Sequence, residues 1–216
     1  MKFIRNIILL AAGLIVISFV QSPAYADRTE FLETLTQLKT SGIISNIEED
    51  QVISYGSFSD IYANMGSTKY YTIIESDHFV LSSKIFWNSA SPTPNGSVSG
   101  CGYVFGTNQD TKDHLMVSIR MDGNLYFNGR NLGSPLSYGK TFIQNPSMQG
   151  EALLTLVVNG SSVNIFFNGN NIKSRNDVVL PGNGLGFSIL SGTNKDFGTQ
   201  CTFDDIFLYT WQDEIQ

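Results

Sequence analysis

The 216-residue chain is short of the residues that build metal centres and nucleophilic sites: it has 2 cysteines and 2 histidines. Cys101, Cys201, His78 and His114 show no paired spacing, which excludes a zinc ligand set of the usual kind. A cysteine nucleophile would need a base and an orienting group. His114 is the nearer histidine to Cys101, and a lone histidine at a strand start reads first as a surface residue. Charge is also sparse, at 15% of residues, with 13 basic against 19 acidic side chains. No basic block occurs, which argues against nucleic acid and anionic membrane surfaces as partners. No internal repeat or long linker divides the chain.

A single extended apolar run is present near the N-terminus. Lys2 and Arg5 precede Ile7 to Val20, which is apolar apart from Gly13 and Ser18, and Ala24-Tyr25-Ala26 follows. This order predicts a signal peptide over residues 1–26, cut after Ala26, and a secreted or extracytoplasmic protein. The run is shorter than the roughly 20 residues that span a bilayer. No cysteine follows it to carry a lipid. Removing the segment leaves about 190 residues, the size of one large domain, and takes the net charge from −6 to −8. Glycine (20), phenylalanine (15) and tyrosine (9) are plentiful, as expected for tight turns between aromatic strands. They also disfavour intrinsic disorder.

Asp27-Arg28-Thr29-Glu30 has capping-box spacing. Phe31, Leu32, Leu35 and Leu38 share a helical face, and Gly42 stands where a C-terminal cap belongs. The pattern predicts a helix over 28–40 whose stripe packs on the domain or meets a partner. After Gly56 the period becomes alternating. In "HFVLSSKIFW", Phe79, Leu81, Ile85 and Trp87 face one side, and Ser82 and Lys84 the other.

"LMVSIRMDGNLYFNG" fixes a register. A three-residue loop, Met121-Asp122-Gly123, pairs Ile119 with Leu125 and Val117 with Phe127, which keeps the apolar faces together. The opposite face then carries Ser118, Arg120, Asn124, Tyr126 and Asn128, polar enough to meet water or a ligand. Asn159-Gly160 and Asn168-Gly169 predict two further hairpins, the second pairing Ile165 with Ile172. Phe203 and Ile206 are three apart, so Asp204-Asp205 marks an expected bulge. Short strands at regular spacing indicate an all-β sandwich. The expected division is a helix and connector over 27–55 and a sandwich over 56–216.

"FVLSSKIFW", "GCGYVFG", "LMVSIRMDGNLYF", "LTLVVNGSSVNIFFNGNNI" and "GLGFSI…CTFDDIFLY" together resemble the concanavalin A-like lectin/glucanase superfamily, particularly its laminin G-like or pentraxin-like bacterial branch. The resemblance runs from about Phe79 to Trp211. It implies a two-sheet antiparallel jelly-roll sandwich that binds glycans or proteins, or else a glycosidase. Glycosidases of this superfamily place carboxylates in a Glu-x-Asp-x-Glu-like run, and none occurs here. Asp204 and Asp205 are adjacent, and adjacent strand residues point to opposite faces. The resemblance also raises calcium at a sandwich rim. Asn108, Asp110 and Asp113 offer oxygens for it, and equally read as a solvated hairpin loop.

The expectation is therefore a non-catalytic binding module for extracellular carbohydrate, with a glycoside hydrolase or a protein-interaction module as alternatives. A sugar site combines an aromatic platform with amide and charged groups. Arg120, Asn124, Tyr126 and Asn128 fit that description, with Tyr103 as an added candidate, whereas Trp87 falls on the apolar side. No catalytic residue and no cofactor other than calcium is indicated. Both cysteines lie in the exported part, where an oxidising compartment favours pairing. A Cys101–Cys201 bridge would close a loop of about 100 residues, with Gly100 and Gly102 as backbone room around it.

Overall fold

Phe31, Leu35 and Leu38 recur at helical spacing, and in the computed structural model they form the buried stripe of α1 (Arg28–Thr40). The structure describes residues 28–212; the expected cleavage after Ala26 and the Asp27 end of the capping box lie outside them. The helix ends as its sequence dictates. Gly42 takes φ +72° and donates to Lys39 O, and Ile43 donates to Leu38 O, the paired bonds of a glycine-terminated helix. The Arg28 side chain donates to Glu49 O at 2.7 Å, tying the helix start to the connector.

Twelve strands follow. They are β1 (Val52–Tyr62), β2 (Ser67–Glu75), β3 (His78–Ser89), β4 (Gly100–Thr107), β5 (His114–Arg120) and β6 (Asn124–Asn131). The second half comprises β7 (Ser134–Phe142), β8 (Gln149–Asn159), β9 (Ser162–Phe167), β10 (Asn170–Arg175), β11 (Gly184–Ser191) and β12 (Thr199–Thr210). They form two six-stranded antiparallel sheets, ordered β1-β12-β3-β8-β9-β10 and β2-β11-β4-β5-β6-β7. This is the two-sheet jelly-roll sandwich of the concanavalin A-like type, as expected.

Alternation decides what each sheet buries. Phe79, Leu81, Ile85 and Trp87 from β3 meet Leu115, Val117, Ile119, Leu125 and Phe127 from the facing sheet in one core. Trp87 satisfies its indole by donating to Ser147 O at 3.2 Å. The register Val117↔Phe127 and Ile119↔Leu125 is the expected one, with Gly123 at φ +80° in the loop. The Asp204-Asp205 bulge is also present: the β12–β3 register breaks between Asp204 and Phe207, and Asp205 takes φ +52°. One pairing differs. Ile165 faces Lys173 rather than Ile172, because a bulge between Asn171 and Lys173 adds a residue to β10.

A second core lies outside the first sheet. Val80, Val157, Phe207 and Tyr209 point away from the sandwich interior and are covered by Phe31, Leu35 and Leu38. Phe31 stacks on Phe207 with ring centroids 5.4 Å apart. The helical stripe is thus spent on the domain, which leaves it no free apolar face for a partner. Burying a leucine such as Leu35 completely contributes roughly 1.5–3 kcal/mol.

Cys101 on β4 and Cys201 on β12 form a disulfide with Cα atoms 5.8 Å apart, joining the two sheets through the core. The pairing removes Cys101 from nucleophilic chemistry.

Candidate functional site

The outer face of the β2–β7 sheet carries one residue from each strand in a single cross-strand row: Tyr70, Ser188, Gly102, Ser118, Tyr126 and Lys140. Three small residues therefore lie between two tyrosines. The adjacent row contributes Gly186, Val104, Met116 and Asn128. Val104, Met116, Ser118 and Ser188 are buried although they point away from the core.

Two features explain that burial. The rings of Tyr70 on β2 and His114 on β5 lie 5.3 Å apart at their centroids. On a flat sheet, three strand steps would hold those strands roughly 14 Å apart, so the rings reach toward each other over a face curled into a trough. The floor also admits no bulk. A Cβ on Gly102 would stand 2.0 Å from Val117 O, and one on Gly186 1.7 Å from Tyr71 O. Glycine at 102 is thus required by the neighbouring strand rather than by the disulfide.

Arg120 forms one wall. Its guanidinium stacks on Tyr126 at 4.0 Å, Nε donates to Ser118 Oγ at 3.2 Å, and Nη1 donates to Ser97 O. Among the described residues, Nη2 makes no hydrogen bond beside those of Nε and Nη1. Burial pulls the Arg120 pKa down, partly offset by Tyr126 and the Asp122 carboxylate. Tyr126 in turn donates to Asp122 Oδ2 at 2.7 Å. Burial and that bond raise its pKa. Lys140, exposed on β7, places its ammonium 5.8 Å from the same ring. Asn124, at the start of β6, caps the loop by donating Nδ2 to Asp122 O at 3.3 Å.

Two buried polar atoms on this face have no hydrogen-bond partner: Ser188 Oγ and Asn128 Oδ1. Buried polar groups are nearly always paired, and these two stand apart, Ser188 on β11 and Asn128 on β6, with β4 and β5 between them. The arrangement offers the Tyr126 ring, the Arg120 guanidinium, the Asn124 amide and the Lys140 ammonium on one face. Such a set can recognise a polyhydroxylated ring with one apolar face.

The structure brings Arg120, Asn124, Tyr126 and Asn128 together as the alternation required, but not Tyr103. Tyr103 is fully buried on the core side, where its hydroxyl donates to Leu154 O at 2.9 Å and pairs with Ser83. Its parity matches Cys101 and Phe105, both core residues, so the correction was available from the strand itself. Tyr70 and Ser188 share this face and were not singled out from the sequence, and His114 was weighed there only as a base for Cys101. Their signal is the outward parity of "GCGYVFG" and "GLGFSIL", where Gly102, Gly186 and Ser188 alternate with buried aromatics.

The loop considered for calcium uses much of its oxygen internally. Asn108 Oδ1 accepts from the backbone of Asp110 and Thr111 at 3.0 and 3.1 Å. Buried Asp113 accepts from Gly133 N at 3.0 Å and lies 3.9 Å from Arg130. The Gly133 bond leads in lowering its pKa. Among the described residues, no group of three or more His, Cys, Asp or Glu side chains is placed to hold a metal.

A concavity of about 1100 Å³ lies at the end of the sandwich, away from this face, lined by Glu48, Gln51, Glu75, Tyr209 and Trp211 among others. Its two glutamates already accept bonds, Glu48 from Gln51 at 2.5 Å and Glu75 from Asn183 at 3.5 Å. Asp205, at the bulge, is held above the usual carboxylate range by burial and by Asp204.

No protein-family model matches the sequence, and no curated protein matches it. Solved structures do share the fold. A carbohydrate binding module from Bacillus subtilis aligns over 74% of this chain and 96% of its own, at 10% identity and a TM-score of 0.55. The metal-free carbohydrate recognition domain of Emp46p aligns over 77% and 92%, at 11% identity and a TM-score of 0.47. A Bacillus licheniformis beta-glucanase aligns over 67% and 69%, at 10% identity and a TM-score of 0.43. At 10% identity the likeness to the Bacillus subtilis module is one of fold.

Proposed function

We propose that the protein is a non-catalytic carbohydrate-binding module, acting outside the cytoplasm, with the trough of the β2–β7 sheet as its site. The observation that carries this reading is the Tyr126 ring, stacked at 4.0 Å on the Arg120 guanidinium with Lys140 beside it on the outer face of the sheet. A tyrosine ring covers the apolar face of a sugar, and guanidinium and amide groups bond its hydroxyls. The Bacillus subtilis module of the same fold is named for carbohydrate binding, which supports the reading without fixing the ligand. The laminin G-like branch and a signal peptide ending at Ala26 belong to the same proposal.

A glycan array followed by calorimetry tests it. The expected result is binding that Tyr126→Ala abolishes while the protein remains folded. Unchanged binding in that variant would move the site elsewhere.

The end cleft favours one alternative, because it gathers Glu48 and Glu75 beside Trp211. A hydrolase built there would lose all glycan cleavage in a Glu48→Gln/Glu75→Gln variant.

A further inference from the structure

Arg120 is 7% exposed, yet among the described residues no carboxylate lies within ion-pairing distance of it. Its nearest acid in sequence, Asp122, spends Oδ2 on the Tyr126 hydroxyl. Asp122 acts on the guanidinium only at longer range, and a buried cation with no carboxylate in contact is costly, since the low dielectric removes its hydration and returns little. The remaining guanidinium nitrogen, Nη2, is the one left free by the bonds to Ser118 and Ser97. Lys140 brings a second positive charge over the same tyrosine ring from the neighbouring strand. Two cations thus converge on one wall of the trough in a chain whose net charge is −6.

We infer that the trough selects sugars bearing an oxyanion, a uronic acid carboxylate or a sulfate ester, over neutral sugars. This rests on the reading of the trough as a glycan site. The oxyanion supplies the direct contact that Asp122 does not make, accepting from Arg120 Nη2 and drawing on Lys140. General attraction does not supply this selectivity, because the acidic surface as a whole repels a polyanion.

Calorimetry of the protein with oligogalacturonate, dextran sulfate and neutral dextran, at low and high salt, tests the inference. Binding to at least one anionic glycan and not to dextran is expected, and the two anionic arms identify the oxyanion. Lys140→Ala should weaken that binding about tenfold at low salt, a charge effect that added salt removes. Lys140 is exposed, so its variant keeps the fold, and an unchanged melting temperature verifies this. Arg120→Gln should abolish the preference. Equal binding of neutral and anionic glycans, insensitive to Lys140→Ala, overturns the inference and leaves the trough reading intact. If no glycan of an array binds at all, both readings fall.

Discussion

The ring of Tyr70 meets that of His114 at 5.3 Å, tilted by 34°, across the two strands that separate β2 from β5. The contact spans β11 and β4 on the outer face of the sheet. Tyr70 is 37% exposed and stands on an edge strand. Ser188, its cross-strand neighbour, is fully buried beside it.

Asn128→Ala separates binding from stability. Asn128 Oδ1 has no protein partner, so deleting it forfeits no internal bond from that atom. The melting temperature should stay within about 2 °C, since ~0.5 kcal/mol is the usual scale for such sites. Glycan affinity, read by calorimetry, should fall by about 1 kcal/mol, the worth of one hydrogen bond.

Gly102→Ala should be far more damaging than its size implies. The added methyl would stand 2.0 Å from the Val117 carbonyl oxygen on β5, so the strands must part. Overpacking of this kind costs about 1–3 kcal/mol or more. Urea denaturation should show a lower midpoint with glycan binding lost in parallel.

Replacing Cys101 and Cys201 by alanine removes a bridge that closes a 100-residue separation. In the chain-entropy model the loss is up to about 4.7 kcal/mol. Mass analysis of the non-reduced wild type should find no free thiol. Two free thiols there would refute the link.

The Asp60 carboxylate joins the two sheet edges through Lys69, at 2.6 Å, and Tyr71. Burial pushes its pKa up, but the hydrogen bonds from Lys69, Tyr71 and Ile61 outweigh burial and hold it below 3.8. Its contribution is therefore present above the unfolded value and lost as pH falls through the folded one. Lys69 runs the other way: the Asp60 bond raises it to about 12, so its share is lost only as pH rises through that value. The pair is partly exposed, and its worth is under about 1 kcal/mol. Comparing wild type with Asp60→Asn, the stability difference should be constant near neutrality and vanish in acid below pH 3.8.

Strand parity carried the reading furthest where one face is apolar and the other polar. It placed Arg120, Asn124, Tyr126 and Asn128 on one surface and fixed the β5–β6 register. It was blind to curvature, because burial of Ser118 and Ser188 depends on how the whole sheet curls rather than on neighbours in sequence. The edge strands were also faint. In β1, Ile53, Tyr55 and Ile61 remain exposed, so hydrophobic alternation there does not report a core. The bulge in β10 was invisible for a similar reason: at an edge, an extra residue costs little pairing.

The disulfide has a final consequence for cleavage of the chain. Any single cut between Cys101 and Cys201 opens the chain without releasing a fragment, because both pieces stay covalently joined at β4 and β12. The exposed tips near Leu132 and Asp196 fall inside that interval. A nicked molecule would run as two bands only after reduction, and the trough, whose β4 floor strand adjoins the bridge, would stay assembled until then.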